Sequence, residues 1–388
     1  MSTQSVYVTG LGVIAPNGIG DRFMENCRSK VSGIRPIQVF DTSTISCKVG
    51  GEVSEFKPMD YLGGGGLRNL DRTALLALAA AKLAIDDAEL EITSENANRI
   101  GVVMGSTMGS VRSISQFDIS GLRDGPRFVN PGLFPNTVIN SAASRISIRF
   151  GITGLNATVS TGFTASLAAV EYAVDMIRLG RADVILAGGA EELCWETCTA
   201  FQELGLAFRS SDGNGGNRGA EKQDRQETQT LIGEGAGFLV LESKENVSAS
   251  KRSTYAELLS AVTSYDPEFR HRFPLSGTAL EAVIRRALEQ ANVQADEVSV
   301  LATWTDLADG SSESLIERSA VESALGTSVE KLEIQSIRPL IGECFSAMGV
   351  FQSIAAIGML RACERPSTVL VSTMSFNGSY AASILRTQ

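Results

Sequence analysis

Apolar runs of four to nine residues alternate along this chain with longer segments whose apolar positions recur every three or four residues. The first kind predicts buried strands and the second helices packed on them. Strands are expected at 6–9, 99–104, 157–160, 182–190, 238–241, 256–262, 298–303, 367–372 and 382–385. Helices are expected from about Asp21, over 72–88 behind an Asp71 cap, and from Phe134-Pro135-Asn136 through Arg145. Further helices are expected over 279–290, 314–325 and 350–363. The helix at 72–88 carries leucine and alanine on nearly every face and reads as a buried central helix. Gly10-Leu11-Gly12 and Pro16-Asn17-Gly18 read as turn chemistry, and their spacing is not that of a dinucleotide fingerprint. Strands regularly separated by helices imply a parallel-rich sheet covered on both faces, in two fused halves covering 1–245 and 246–388.

One stretch organises the rest. The run Ala157-Thr158-Val159-Ser160 breaks at Gly162 and passes into an alanine-rich segment with Leu167, Val170 and Val174 on one face. This is a strand, tight turn and helix, an elbow that presents one residue at a helix N-terminus. Free amides and the helix dipole there favour a thiolate or an oxyanion. The residue at that point is Phe163, and a phenyl ring cannot attack a thioester.

Composition narrows the options. A chain of 388 residues, 43% hydrophobic and 20% charged, is long enough for a large core. A net charge of −10 argues against nucleic acid or an anionic membrane as partner, and weakly against a main docking surface for an acidic carrier protein. No apolar stretch is long enough to span a bilayer, and the first ten residues lack the features of a signal peptide, so a cytoplasmic protein is expected. The six cysteines lack metal-ligand spacing, with Cys194 and Cys198 one helical turn apart, and reduced, mostly buried thiols without a metal are expected. Residues 209–228 are polar and glycine-rich, as in a mobile surface loop. His271 is the single histidine and sits in a charged, proline-bounded loop, which excludes any mechanism that needs two histidines.

The order of several short landmarks resembles the β-ketoacyl synthase family of the thiolase superfamily. These are Val8-Thr9-Gly10-Leu11-Gly12, Leu70-Asp71-Arg72, Ile146-Ser147-Ile148-Arg149-Phe150-Gly151, Val159-Ser160-Thr161, Gly188-Gly189-Ala190-Glu191 and Gly233-Glu234-Gly235-Ala236-Gly237. The resemblance implies an α/β fold, a five-layer αβαβα sandwich made of two similar halves. It also implies dimerisation through the strand before the elbow: Leu155, Asn156, Ala157, Thr158, Val159 and Ser160.

Members of that family condense acyl thioesters with a malonyl carrier thioester, using an elbow cysteine and two histidines. Carried over by position, the cysteine falls on Phe163, the first histidine on Trp304 and the second on Glu343, while a lysine before it becomes Arg338. The glycine-rich gate loop is altered to Ser375-Phe376-Asn377-Gly378-Ser379-Tyr380. The chemistry is lost while strands, turns and helix faces still agree with one another. That combination resembles the chain length factors, catalytically silent partners of active ketosynthases in type II polyketide systems. Many carry glutamine where Phe163 stands, a departure that points away from a decarboxylating role and toward polyene-type branches.

The resemblance implies a heterodimer with an active ketosynthase and a substrate tunnel along the interface. No cofactor of its own is implied, since substrate arrives on the phosphopantetheine of an acyl carrier protein. Tunnel candidates are Val111, Ile114, Ser115, Phe117, Asp118 and Phe134. Phe163, Trp304 and Glu343 are expected to fill the vacated pocket, with Arg338 paired to Glu343. Two other readings stay open: an active condensing enzyme or acyltransferase with a nucleophile displaced to Cys344, Ser160 or Thr161, and a scaffold homodimer with no part in elongation.

Overall fold

The computed structural model describes residues 4–204, 231–266, 277–327, 329–361 and 367–387. The segment 209–228 and His271 lie outside these residues. The first half contributes β1 (Val6–Ala15), α1 (Arg72–Asp87), β2 (Ile100–Gly105), α2 (Val111–Asp124), β3 (Asn156–Val159), α3 (Ala165–Arg178), β4 (Val184–Glu191) and β5 (Gly235–Ser243). The second contributes β6 (Ala256–Tyr265), α4 (Thr278–Ala291), β7 (Val298–Thr303), α5 (Ser312–Leu325), β8 (Glu333–Ser336), α6 (Met348–Leu360), β9 (Thr368–Met374) and β10 (Ser379–Thr387).

Strand order exposes a repeat that residue identity hides. The first half runs β3-β2-β4-β5-β1 and the second β8-β7-β9-β10-β6, so each places its strands third, second, fourth, fifth, first. In both, the third, second and fourth strands are parallel, and the fifth and first run antiparallel to their neighbours. The halves join where β1 pairs with β6, from Val6 opposite Leu258 to Val8 opposite Ala256.

Alternation along the strands assigns the layers, because successive side chains leave opposite faces of a sheet. Val103 of β2 and Val300, Ala302, Val369 and Val371 of β7 and β9 point into one core with Leu167 and Val170 of α3 and Ile354 and Ile357 of α6. Their neighbours Val102, Leu186 and Val240 point the other way, into a core under α1. Leu301 and Leu370 turn to a core under α4 and α5. The result is the five-layer αβαβα sandwich that the resemblance implies, with α3 and α6 in the middle layer. The alanine-rich α1 is therefore an outer-layer helix rather than a central one; its ten buried residues reflect cover from neighbouring segments as well as from the sheet.

Two local expectations change. β1 runs unbroken from Val6 to Ala15, and Gly10 and Gly12 lie inside it because α1 leaves no room for a side chain. A Cβ on Gly12 would stand 2.0 Å from the Ala80 carbonyl oxygen. The helix expected from Phe134 is a 3-10 turn, Pro131–Thr137, followed by a separate helix, Ser141–Phe150. Pro135 inside the turn removes an amide donor that a continuous helix would require. No helix among the described residues is long and apolar enough to cross a membrane.

Candidate functional site

The elbow forms where β3 ends at Val159 and α3 begins at Ala165, joined by a 3-10 turn over Gly162–Thr164. Gly162 has φ +80°, a left-handed conformation that favours glycine. It lies so close to the second half that a Cβ would meet the Asn377 side chain at 2.5 Å. The Phe163 N–H donates to Ser375 Oγ at 3.2 Å, and Asn377 and the Ser379 hydroxyl both donate to the Thr161 carbonyl. The segment Ser375–Ser379 thus locks onto the elbow and engages the Phe163 amide.

Phe163 is buried and its ring is enclosed by others. Phe345 meets it edge-on at 5.0 Å between centroids, Phe376 perpendicular at 5.4 Å, and Phe201 stacks at 6.2 Å. Phe376 in turn packs against Trp304 at 5.8 Å. Such spacings suit the aromatic quadrupole and fill the volume with hydrocarbon.

Trp304 follows β7 directly and is fully buried. Its indole N–H donates to Glu343 Oε2 at 2.8 Å. Arg338 places its guanidinium carbon 4.1 Å from the centre of the Trp304 ring and its Nε 3.2 Å from the same Glu343 oxygen. The other oxygen, Oε1, accepts from the Phe345 N–H at 2.8 Å. Both carboxylate oxygens are therefore engaged within the protein. Burial pushes the Glu343 carboxyl up to about 7 despite the Arg338 charge, the Phe345 amide and the Trp304 indole, all of which pull it down. Phe345 has φ +51°, unusual for a bulky residue, and the Glu343 bond to its amide helps hold it there.

A further buried carboxylate, Glu317 of α5, fixes the backbone that carries Trp304. It accepts from the Trp304 N–H at 3.0 Å and from the Thr305 N–H and hydroxyl at 2.8 and 2.6 Å, with the Ser372 hydroxyl also donating. Glu234 of the glycine-rich motif does similar work in the first half. It pairs with Arg72 Nε at 2.6 Å and accepts from the Val53 and Leu193 amides.

The displaced-nucleophile candidates among the described residues have the following surroundings. Cys344 is fully buried, its thiol held well above the usual range mainly by desolvation and then by Glu343 and Glu234, and Sγ donates to the Glu234 carbonyl at 3.4 Å. Ser160 contacts the Thr107 carbonyl at 3.5 Å, and the Thr161 hydroxyl pairs with that of Thr164.

The tunnel candidates sit on α2 and on the 3-10 turn Pro131–Thr137. Val111, Ile114, Ser115 and Phe117 are half-buried on α2, Asp118 is exposed, and no residue of the helix is fully buried. Phe134 stands exposed on the 3-10 turn with its ring 6.0 Å from that of Phe117. The run Leu155, Asn156, Ala157, Thr158, Val159 and Ser160 contains β3, the terminal strand of its sheet, paired in register with β2. Phe201, Phe345 and Glu317 were not singled out from sequence. They reach the site from separate elements, and no motif announces them.

The fold and the elbow define a condensing-enzyme scaffold. Residues 3–247 match the model of the β-ketoacyl synthase N-terminal domain and residues 255–371 that of its C-terminal domain, and the chain belongs to the β-ketoacyl synthase family. It is 31% identical over 363 residues to the 3-oxoacyl-[acyl-carrier-protein] synthase 2 of Vibrio harveyi, covering 92% of this chain and 86% of that one. The synthase 2 of Coxiella burnetii is 28% identical over 380 residues, covering 95% and 89%. Among solved structures, the ishigamide ketosynthase/chain length factor superposes with a TM-score of 0.86 at 24% identity, over 100% of both chains. A β-ketoacyl synthase from Burkholderia phymatum STM815 gives 0.84 at 21%, over 99% and 100%. At these identities the structural likeness speaks for the fold.

Proposed function

We propose that the chain is a non-catalytic chain length factor that heterodimerises with an active ketosynthase and shapes the tunnel into which the partner's acyl chain grows. One observation carries this reading. The three positions where the family places its cysteine and two histidines hold Phe163, Trp304 and Glu343, and these side chains, with Arg338, belong to one packed, hydrogen-bonded core.

Exposed apolar side chains support it. Leu122, Phe128, Phe134 and Ile148 are 88%, 77%, 57% and 73% exposed, which favours a partner. A sheet ending in β3 leaves a strand edge for that partner to extend. In this reading Val111, Ile114, Ser115, Phe117, Asp118 and Phe134 bound the tunnel. The acyl carrier protein presents substrate on its phosphopantetheine and docks mainly on the partner, in the cytoplasm. An active enzyme with a displaced nucleophile fits less well, because Cys344 is sealed in the core.

Co-expression with a ketosynthase that retains its cysteine and both histidines tests the pairing. The expected result is a stable one-to-one complex. A chain that purifies alone or as a homodimer in the presence of such partners overturns it.

A further inference from the structure

Helix α2 is 14 residues long and begins without a cap of its own: the Ser110 side chain makes no capping bond. An α-helix leaves its first four amides unsatisfied, and a buried amide without a partner is costly. Here one of these amides finds its partner just past the end of β4, 80 residues away in sequence. Glu192 accepts from the Arg112 N–H at 3.1 Å, in the first turn. Glu191 accepts from the Thr107 N–H and, at 3.3 Å, from the Ser106 hydroxyl, on the approach to the helix. The same Ser106 hydroxyl accepts from the Gly109 N–H at 2.9 Å, which fixes the bend into α2.

Glu191 also reaches the degenerate site. Its Oε1 accepts from the Ser346 hydroxyl at 2.8 Å, three residues beyond Glu343. Both carboxyls are almost wholly buried. Two adjacent glutamates therefore tie the base of α2 to β4 and to the segment that follows Glu343.

We propose that Glu192, supported by Glu191, is a positioning residue that sets the pose of α2 and thereby the length to which the tunnel admits a chain. The tunnel half of this rests on the chain length factor reading; the anchoring of α2 does not. Glu192 touches no substrate and acts through the helix it holds.

Two readouts separate the halves. In the purified chain, amide hydrogen exchange over 111–114 is compared for wild type, Glu192→Ala and Glu192→Gln. The glutamine keeps a carbonyl acceptor for the Arg112 N–H, so protection is expected to fall about tenfold in Glu192→Ala and to be retained in Glu192→Gln. Should the alanine variant not fold, Glu192→Asp, whose arm is one methylene shorter, is expected to lose protection in the same direction. Equal protection in wild type and every folded Ala or Asp variant overturns the anchoring.

In the complex with an active ketosynthase, Glu192→Ala, or Glu192→Asp in its place, is expected to broaden product length and Glu192→Gln to restore it, beside Ile114→Ala as a direct tunnel change. If Ile114→Ala alters length and neither Glu192→Ala nor Glu192→Asp does, the specificity role is overturned while the chain length factor reading stands. If Ile114→Ala changes nothing either, the tunnel reading fails and takes the specificity role with it. The exchange result still decides whether Glu192 anchors α2.

Discussion

The indole N–H of Trp304 donates to the fully buried carboxylate of Glu343 at 2.8 Å, joining two positions that lie 39 residues apart. By family resemblance these are the positions of the two histidines. In this chain they satisfy each other, and Arg338 closes the arrangement from above the ring.

Glu343→Ala removes the acceptor from the Trp304 indole, the Phe345 amide and the Arg338 guanidinium together. Breaking one side of such a buried pair costs about 3–5 kcal/mol. Chemical denaturation is expected to show that loss. In a double-mutant cycle with Arg338→Met, the two residues are expected to couple by about 0.5–3 kcal/mol. Additive losses would contradict a functional pair.

Phe163→Ala empties the centre of the aromatic cluster and is expected to cost about 3–5 kcal/mol in the same assay. Phe163→Cys returns a thiol to the elbow but no base. Incubated with acyl-loaded carrier protein and weighed intact, it is expected to remain unacylated, whereas a stable adduct would show that the site still works.

Stability is expected to rise as pH falls from about 8 toward 5. Burial pushes Glu191 and Glu343 up to about 7 and Glu192 up to about 8, from an ordinary 4.5. Because the folded state favours the neutral acids, their contribution is complete below the unfolded value and is lost as pH climbs through the folded ones. The slope is about 1.4 kcal/mol per pH unit for each titrating group. Glu192 faces the like charges of Asp71, Glu191 and Glu234, with Arg72 as the opposing cation. Glu192→Gln is expected to flatten the profile between pH 5 and 8, read as Tm against pH.

Arg72→Ala leaves the Glu234 carboxylate buried without its cation and is expected to destabilise by about 3–5 kcal/mol. Thermal unfolding of Arg72→Ala beside the Arg72→Ala, Glu234→Leu double variant measures it. The double variant is expected to recover part of the loss.

Much of the fold was legible because strand and helix periodicities differ so plainly. The helix behind Asp71 starts as expected, with the Asp71 carboxylate accepting from the Ala74 amide at 2.8 Å, and β7 keeps its expected bounds. The placement of α1 in an outer layer was not legible. A helix buried on almost every face reads the same in sequence whether a second sheet or other segments cover it. Gly10 and Gly12 misled for a related reason: a glycine needed for close approach looks like a glycine needed for a turn.

At the site, Phe163, Trp304 and Glu343 stood out because the family resemblance places a cysteine and two histidines at those positions. Arg338 was also legible as the partner of Glu343, and it stands 3.2 Å from that carboxylate; the other contacts were not. Phe201, Phe345 and Phe376 converge on Phe163 from three elements, and Glu317 supports Trp304 from a helix 13 residues away, through contacts that exist only after folding.

In the proposed function this chain supports a reaction that its partner performs. The most direct test of this is intact mass of both subunits after the co-purified complex with an active ketosynthase is incubated with acyl-loaded carrier protein. An acyl adduct on the partner and an unchanged mass for this chain are expected. An adduct on this chain, in the complex or alone, would contradict it.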